Sequence, residues 1–181
     1  MRPYPMYRNL ILSGEIAAGS IKPIIDKIMD INYDDDLKTQ EYCDWVREPI
    51  YLFINTHGGN AYDALALIDI IQNSKTPVYT VALGWCMSAG LWVFTAGARR
   101  VIGPNTTLMF HDVKTWVEDK TAGIQECLNE AQRLSRKYCD SITSISTITQ
   151  KELDHYISTK GEWYIPAEEA MKRKLADEYY K

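Results

Sequence analysis

Apolar and polar residues alternate along this chain in two rhythms, and the change from one to the other marks out its elements. Ile21, Ile24, Ile25, Ile28 and Ile31 recur at helical spacing behind Ser20, which predicts a helix from an N-cap at Ser20 to about Asn32, with a short strand over Leu10–Leu12 before it. Residues 33–48 lose that period and carry Asp34, Asp35 and Asp36, the pattern of a surface insertion within a single domain spanning 1–181. A compact apolar run then covers Ile50–Ile54, a polar glycine turn Asn55–Gly59 and an apolar helix Ala61–Gln72. The same grammar repeats: strand Val78–Leu83, turn Gly84–Met87, helix from about Ser88 to Gly97, then short strands near Arg100–Ile102 and Thr107–His111. Strands that alternate with helices in this way imply an α/β fold built on crossover connections.

The C-terminal third is mainly helical. Ile124, Leu128, Ala131, Leu134, Tyr138, Ile142 and Ile145 fall near every third or fourth position of a helix from Ala122 to about Ser146, long enough to project from the body. Thr149 and Glu152 have the spacing of a capping box, and Pro166 opens a last short helix with Lys172, Arg173 and Lys174 near its end.

Composition narrows the possible functions. Twenty Lys and Arg against 24 Asp and Glu leave a net charge of −4, so there is no broad basic field to hold a nucleic-acid backbone or an anionic membrane. Thr76–Ala98 carries no charge, but Pro77, Gly84, Gly90 and Gly97 interrupt it, and it reads as buried strand plus buried helix rather than a membrane span. Residues 1–8 have no signal-like apolar run, and the four cysteines are far apart with no C-x-x-C pair. A reducing, cytoplasmic setting is therefore expected, without a disulfide framework, a metal site or a nucleotide cofactor.

Two strand-to-helix turns rich in small residues are suited to anion stabilisation, because peptide N–H groups point outward at a helix start. The second turn holds Ser88, followed two residues later by Gly90, somewhat like a nucleophile elbow without its first glycine. A serine at a helix start is more often an N-cap, so Ser88 needs a base, and the three histidines are His57, His111 and His155. His111 ends an apolar strand, where it can reach a cleft. His57 belongs to the first glycine turn, and His155 lies among charges on a helix face.

Ile54-Asn-Thr-His-Gly-Gly59, Gly84-Trp-Cys-Met-Ser-Ala-Gly90, Pro104-Asn-Thr-Thr-Leu-Met-Phe-His111 and Ala167-Glu-Glu-Ala-(x)4-Leu175-Ala-Asp177 resemble, in order and spacing, the proteolytic subunit of the caseinolytic protease, ClpP. The resemblance runs from about Leu10 to Asp177. It implies a ClpP/crotonase-like fold of stacked strand-helix units with a protruding handle helix, and a serine endopeptidase acting on polypeptides inside a ring-shaped chamber. Ser88 falls on the family nucleophile, His111 on its general base, and the backbone N–H groups of Gly59 and Ala89 on its oxyanion hole. Homo-oligomers of seven or fourteen subunits and a Clp-type unfoldase ATPase are the partners it implies.

This chain also departs from the family pattern. Where the family has its third catalytic residue, an Asp, this sequence has Glu162, with Asp112, Asp140 and Asp154 as alternatives that the sequence does not place. The family's glycine-rich substrate strand is here Asp112–Glu118, in which Val113, Thr115 and Val117 keep a strand-like alternation able to receive a peptide by strand addition. His57 replaces a proline beside the oxyanion glycines, where it can contact substrate or act on His111 electrostatically. The Glu-Trp variation and the short ends are similar to ClpP-like proteases of phages and prophages. Three other readings compete: a catalytically silent ring subunit, a crotonase-type acyl-CoA enzyme that would not need Ser88, and a Ser/Lys protease similar to signal peptide peptidase A.

Overall fold

Successive strand-helix units lay down a mostly parallel sheet in the computed structural model, which describes residues 6–114, 120–159 and 161–181. The elements are β1 (Asn9–Ile16), α1 (Ala18–Glu41), β2 (Ile50–Gly59), α2 (Ala61–Asn73), β3 (Val78–Met87), α3 (Ala89–Thr95), β4 (Arg99–Ile102), β5 (Thr107–Phe110), α4 (Thr121–Thr143), α5 (Gln150–Ser158), β6 (Trp163–Pro166), α6 (Ala167–Lys172) and β7 (Glu178–Tyr179). The main path of the sheet is β1-β2-β3-β4-β7, all parallel, while β5 pairs with β3 in parallel and with β6 antiparallel. This is the mixed α/β architecture expected from the alternation of elements, with strand and helix both present in the uncharged Thr76–Ala98 run.

Side-chain alternation explains which face of the sheet is covered. Leu10 and Leu12 of β1, Ile50, Leu52 and Ile54 of β2, and Val78 and Ala82 of β3 are buried in the same core as Ile24 and Ile28 of α1, Leu67 of α2 and Phe94 of α3. Each such aliphatic side chain taken fully out of water contributes about 1.5–3 kcal/mol. The intervening positions form a second, aromatic face. Tyr51 meets Tyr79 edge-on at 5.6 Å, Phe53 meets Tyr180 at 5.9 Å, and Ile11 is 71% exposed.

Two sequence expectations are corrected at α1. The helix does not stop near Asn32 to give way to a surface insertion over 33–48; it runs on to Glu41, and only the stretch between it and β2 is irregular. The stripe Ile21, Ile24, Ile28, Ile31 continues in step to Asp35, which is buried like the others. An aspartate can stand in an apolar stripe because a cation meets it there: Arg8 Nη2 and Nη1 donate to its two oxygens at 2.6 and 3.0 Å, and Thr76 Oγ1 donates at 2.7 Å. Arg8 Nη1 also donates to the Glu48 carbonyl at 2.8 Å. The second correction concerns Ser20, which is not the N-cap. Ala17 takes that place and its N–H donates to Ser20 Oγ at 3.0 Å from the third helical position.

The two glycine turns are also more ordered than expected, since β2 and β3 extend through them to Gly59 and Met87. The capping box at Thr149 and Glu152 is present, Pro166 precedes α6, and Asp177 accepts bonds from the backbone N–H and guanidinium of Arg100 at 2.7 and 2.6 Å. Along α4 the described buried residues are Leu134, Tyr138, Cys139 and Ile142, so its N-terminal half stands largely clear of the body. Among the described residues no helix is long and apolar enough to cross a membrane.

The Arg8–Asp35 pair has side-chain exposures of 1% and 0%, so removing one partner strands a charge out of water. Arg8→Met is expected to destabilise the fold by about 3–5 kcal/mol in urea unfolding, and Arg8→Met with Asp35→Leu to recover much of that loss. The bonds from Arg8 and Thr76 hold the Asp35 carboxyl below its usual range against the opposing effect of burial. A depressed folded-state pKa stabilises above the unfolded value, so this contribution is expected to be present above about pH 4 and to fade as pH falls through the folded-state value. Wild type should therefore lose more stability between pH 5 and about pH 2 than the double variant does.

Candidate active site

The pairing of β3 determines what meets at the end of the sheet. Its first half lies beside β4, with Tyr79 opposite Arg99 and Ala82 opposite Ile102. After Gly84, at φ +69°, it changes neighbour: Trp85, Cys86 and Met87 pair with Thr107, Leu108 and Met109 of β5. The Ser88 N–H continues the ladder by donating to the Met109 carbonyl at 2.9 Å, two residues before His111. On the other side of β5, Phe110 faces Trp163 of β6, so the register carried one residue further sets Glu162 across from His111.

Ser88 is not an ordinary helix cap. Its φ of +54° is rare for a residue with a Cβ, and its side chain makes no capping bond to α3. The turn is packed tightly against Gly58, where a Cβ would come within 2.8 Å of the Ser88 Cβ and 3.2 Å of the Ala89 nitrogen. Only a glycine lets β2 approach that closely. From the other side, the buried Tyr138 of α4 donates its hydroxyl to the Ser88 carbonyl at 2.9 Å and stacks on Trp92 with ring centres 5.1 Å apart. The turn is thus held from three elements while the serine side chain remains uncommitted.

Ser88 opens onto a cleft of about 700 Å³, to which Gly59, Ala89, His111 and Val113 also contribute. Ala61, Trp92, Leu134 and Tyr138 give it an apolar floor, and Tyr62 of α2 bonds Glu130 of α4 at 2.7 Å where both line it. Arg133 and Tyr62 together keep the Glu130 carboxyl at about 2. A cleft of this size with an apolar wall and a few polar groups suits the side chain and backbone of a peptide.

His111 is half-buried. Burial and the nearby Lys114 cation push its pKa down, against the pull of Glu162 and Asp112, so the ring is neutral at pH 7 and able to accept a proton. Its Nδ1 is buried and, among the described residues, no side chain bonds it, while the Asp112 backbone supports the ring's charged form. Glu162 shares a small cavity with His111, but its Oε2 accepts from the Tyr164 hydroxyl at 2.6 Å and its Oε1 faces Lys114 Nζ at 3.8 Å. Tyr164 and Lys114 hold the Glu162 carboxyl down, with the Tyr164 bond the larger influence.

The other candidates are dispersed. Asp112 lies beside the cleft, but its Oδ1 already accepts from the Val113 N–H at 2.8 Å and Ser135 Oγ at 2.6 Å. Asp140 and Asp154 line a separate cavity against α5. His57 is exposed and turns an edge to Trp85 at 6.3 Å, outside the residues that line the cleft. His155 is exposed on α5, as its charged surroundings suggest. Val113 lines the cleft, whereas Thr115 and Val117 lie outside the described residues, and 111–114 form no strand. Sequence reasoning missed three contributors. Tyr138 carried only a core signal, Lys114 carried none, and Tyr164 was legible through the two-residue period that puts it on the side of its strand facing the same way as Glu162.

Comparison with known proteins places the chain in a family. The family model for Clp protease matches residues 8–181. The chain is 28% identical over 173 residues to the ATP-dependent Clp protease proteolytic subunit 3 of Synechococcus sp. (strain CC9902), covering 94% of this chain and 80% of that protein. It is similar in the same measure, 28% over 173 residues with 94% and 80% covered, to the ATP-dependent Clp protease proteolytic subunit 2 of Prochlorococcus marinus subsp. pastoris (strain CCMP1986). Matched over residues 8–181, the chain belongs to the Clp protease family.

Proposed function

We propose that this protein is a serine endopeptidase subunit in which Ser88 is the nucleophile and His111 its general base. The observation that supports the reading is the β3–β5 register, which brings an uncommitted serine at φ +54° and a half-buried imidazole to the lining of one cleft. His111 takes the Ser88 proton as the oxygen attacks a peptide carbonyl. The N–H groups of Gly59 and Ala89 receive the negative charge that develops on the carbonyl oxygen, and the proton then passes to the leaving amine. Glu162 serves as the third member, orienting the imidazole through Nδ1. Val113 and the segment after it, Thr115 included, receive the substrate backbone.

Assembly belongs to the same reading. The exposed N-terminal half of α4 and the uncovered aromatic face of the sheet leave apolar surface for neighbouring copies, in keeping with a heptameric ring or a pair of them. A Clp-type unfoldase ATPase would feed the chamber, and the setting is cytoplasmic. A Ser/Lys mechanism is less well supported. Lys114 lines the cleft, but its side chain is 77% exposed beside Glu162, whereas a lysine base is a desolvated one.

Labelling with a fluorophosphonate probe tests the assignment. Wild type is expected to react at Ser88 and Ser88→Ala to lose at least about a thousandfold in both labelling and peptide turnover. Because no bond to the Ser88 side chain supports the fold, its thermal unfolding should barely move. Retained turnover in Ser88→Ala would remove the serine from the mechanism.

The depressed pKa of His111 fixes the pH response. The reactive form has a neutral ring, so the labelling rate should rise with pH through a midpoint below the ordinary histidine value of 6.5 and then level off. A midpoint at or above that value in the free protein would contradict the environment described for His111.

A further inference from the structure

In a triad the buried Nδ1 of the histidine is bonded to the acid; here that atom is buried and, among the described residues, no carboxylate bonds it, the ring's hydrogen-bonding neighbour being the backbone of Asp112. The carboxylate best placed to receive it is turned to other partners. Glu162 shares the cavity of about 250 Å³ that touches His111 and Lys114, and β6 sets it across from His111. Yet one of its oxygens is on the Tyr164 hydroxyl at 2.6 Å and the other faces Lys114 Nζ at 3.8 Å. Asp112, the other acid at that cavity, has Oδ1 on Ser135 and the Val113 N–H.

We propose that Tyr164 and Lys114 are positioning residues that hold Glu162 away from His111, so that acid and imidazole pair only when this hold is released. The inference rests on the assignment of Ser88, His111 and Glu162 made above. Strand alternation brings Tyr164 to the same side as Glu162, and Lys114 comes from the segment directly after His111, so both competitors for the carboxylate sit within the reach of one side chain. The hold is light. Glu162, Tyr164 and Lys114 are 40%, 52% and 77% exposed, and solvent weakens bonds between groups so open. It sets a resting position that a few-fold gain in contact elsewhere can overcome. Lys114 also lines the peptide cleft, which makes a bound substrate a direct competitor for it.

Tyr164→Phe removes one hydroxyl from an exposed side chain and adds no charge. Two readouts on the full chain test it: the NMR titration of the His111 ring and the rate of fluorophosphonate labelling at pH 8. The groups facing that ring are Lys114, which lowers its midpoint, and Glu162 and Asp112, which raise it. Release of Glu162 onto Nδ1 is expected to raise the His111 midpoint by about one unit and the labelling rate about three- to tenfold. Both effects should vanish when Glu162→Gln is added. Lys114→Gln supplies a second arm, in which the rise at His111 should exceed the rise the same change causes in the Glu162→Gln background. A His111 midpoint that stays put or falls in Tyr164→Phe would overturn the proposal, and so would a rise that survives Glu162→Gln. If His111 responds as expected while Ser88 is never labelled, the hold stands and the peptidase reading fails.

Discussion

The arrangement of this molecule turns on one exchange of partners along β3. Its first half is a central parallel strand between β2 and β4; past Gly84 the same strand leaves β4 and takes β5 as its neighbour. Had β3 kept a single partner, β5 would have no place beside Met87 and His111 no route to Ser88. The exchange also brings β6, which pairs with β5 and carries Glu162 at its lead-in. Side chains in a strand point alternately to opposite faces, so a slip of one residue between β3 and β5 would turn His111 away from the cleft. The register is therefore the constraint on which the meeting of Ser88 and His111 at one cleft depends, and the bond from the Ser88 N–H to the Met109 carbonyl fixes it there.

Charge is handled in opposite ways at the two ends of the strands. Arg8, Glu48 and Thr76 precede β1, β2 and β3, and there the buried Asp35 carboxylate is satisfied by a guanidinium and a hydroxyl. At the carboxyl ends of β3 and β5 stand Ser88 and His111, whose buried Nδ1 no side chain among the described residues bonds. A folded protein satisfies nearly all its buried polar atoms, and Asn9 Oδ1, Trp45 Nε1 and Arg100 Nε are exceptions here as well. The amino-terminal edge serves stability, while the carboxyl-terminal edge is where parallel sheets receive their ligands.

Much of this was legible in the sequence for a physical reason. Periodicity reports burial, and burial selects the elements, so the order of strands and helices from β1 to α4, the box at Thr149 and the strand and helix within Thr76–Ala98 could be read, whereas the short strands β6 and β7 could not. The errors came where a long-range partner overrides a local rule. Asp35 looks like the end of a helix until Arg8, 27 residues away in sequence, is known to meet it. The two glycine turns look like loops because their pairing partners, such as Cys86 for Thr56, lie on another strand. Ser88 and His111 stood out as candidates because they sit in ordered motifs. That Glu162 is held by Tyr164 and Lys114 depends on side-chain direction at the edge of the sheet, which no local pattern encodes.

The width of the cleft rests on very few contacts. One wall is the end of the sheet, rigid through its ladders; the other is α4, whose described buried residues begin only at Leu134. At the base, Tyr138 ties this helix to the backbone of Ser88 itself, with its ring packed between Trp92 and Phe110 at 5.1 and 5.2 Å. At the rim, the helix is tied to α2 by the bond between Glu130 and Tyr62, the latter 55% exposed. A desolvated bond beside stacked rings is hard to break, and an exposed one opens readily. The helix is therefore held firmly at the serine turn and lightly along its N-terminal half.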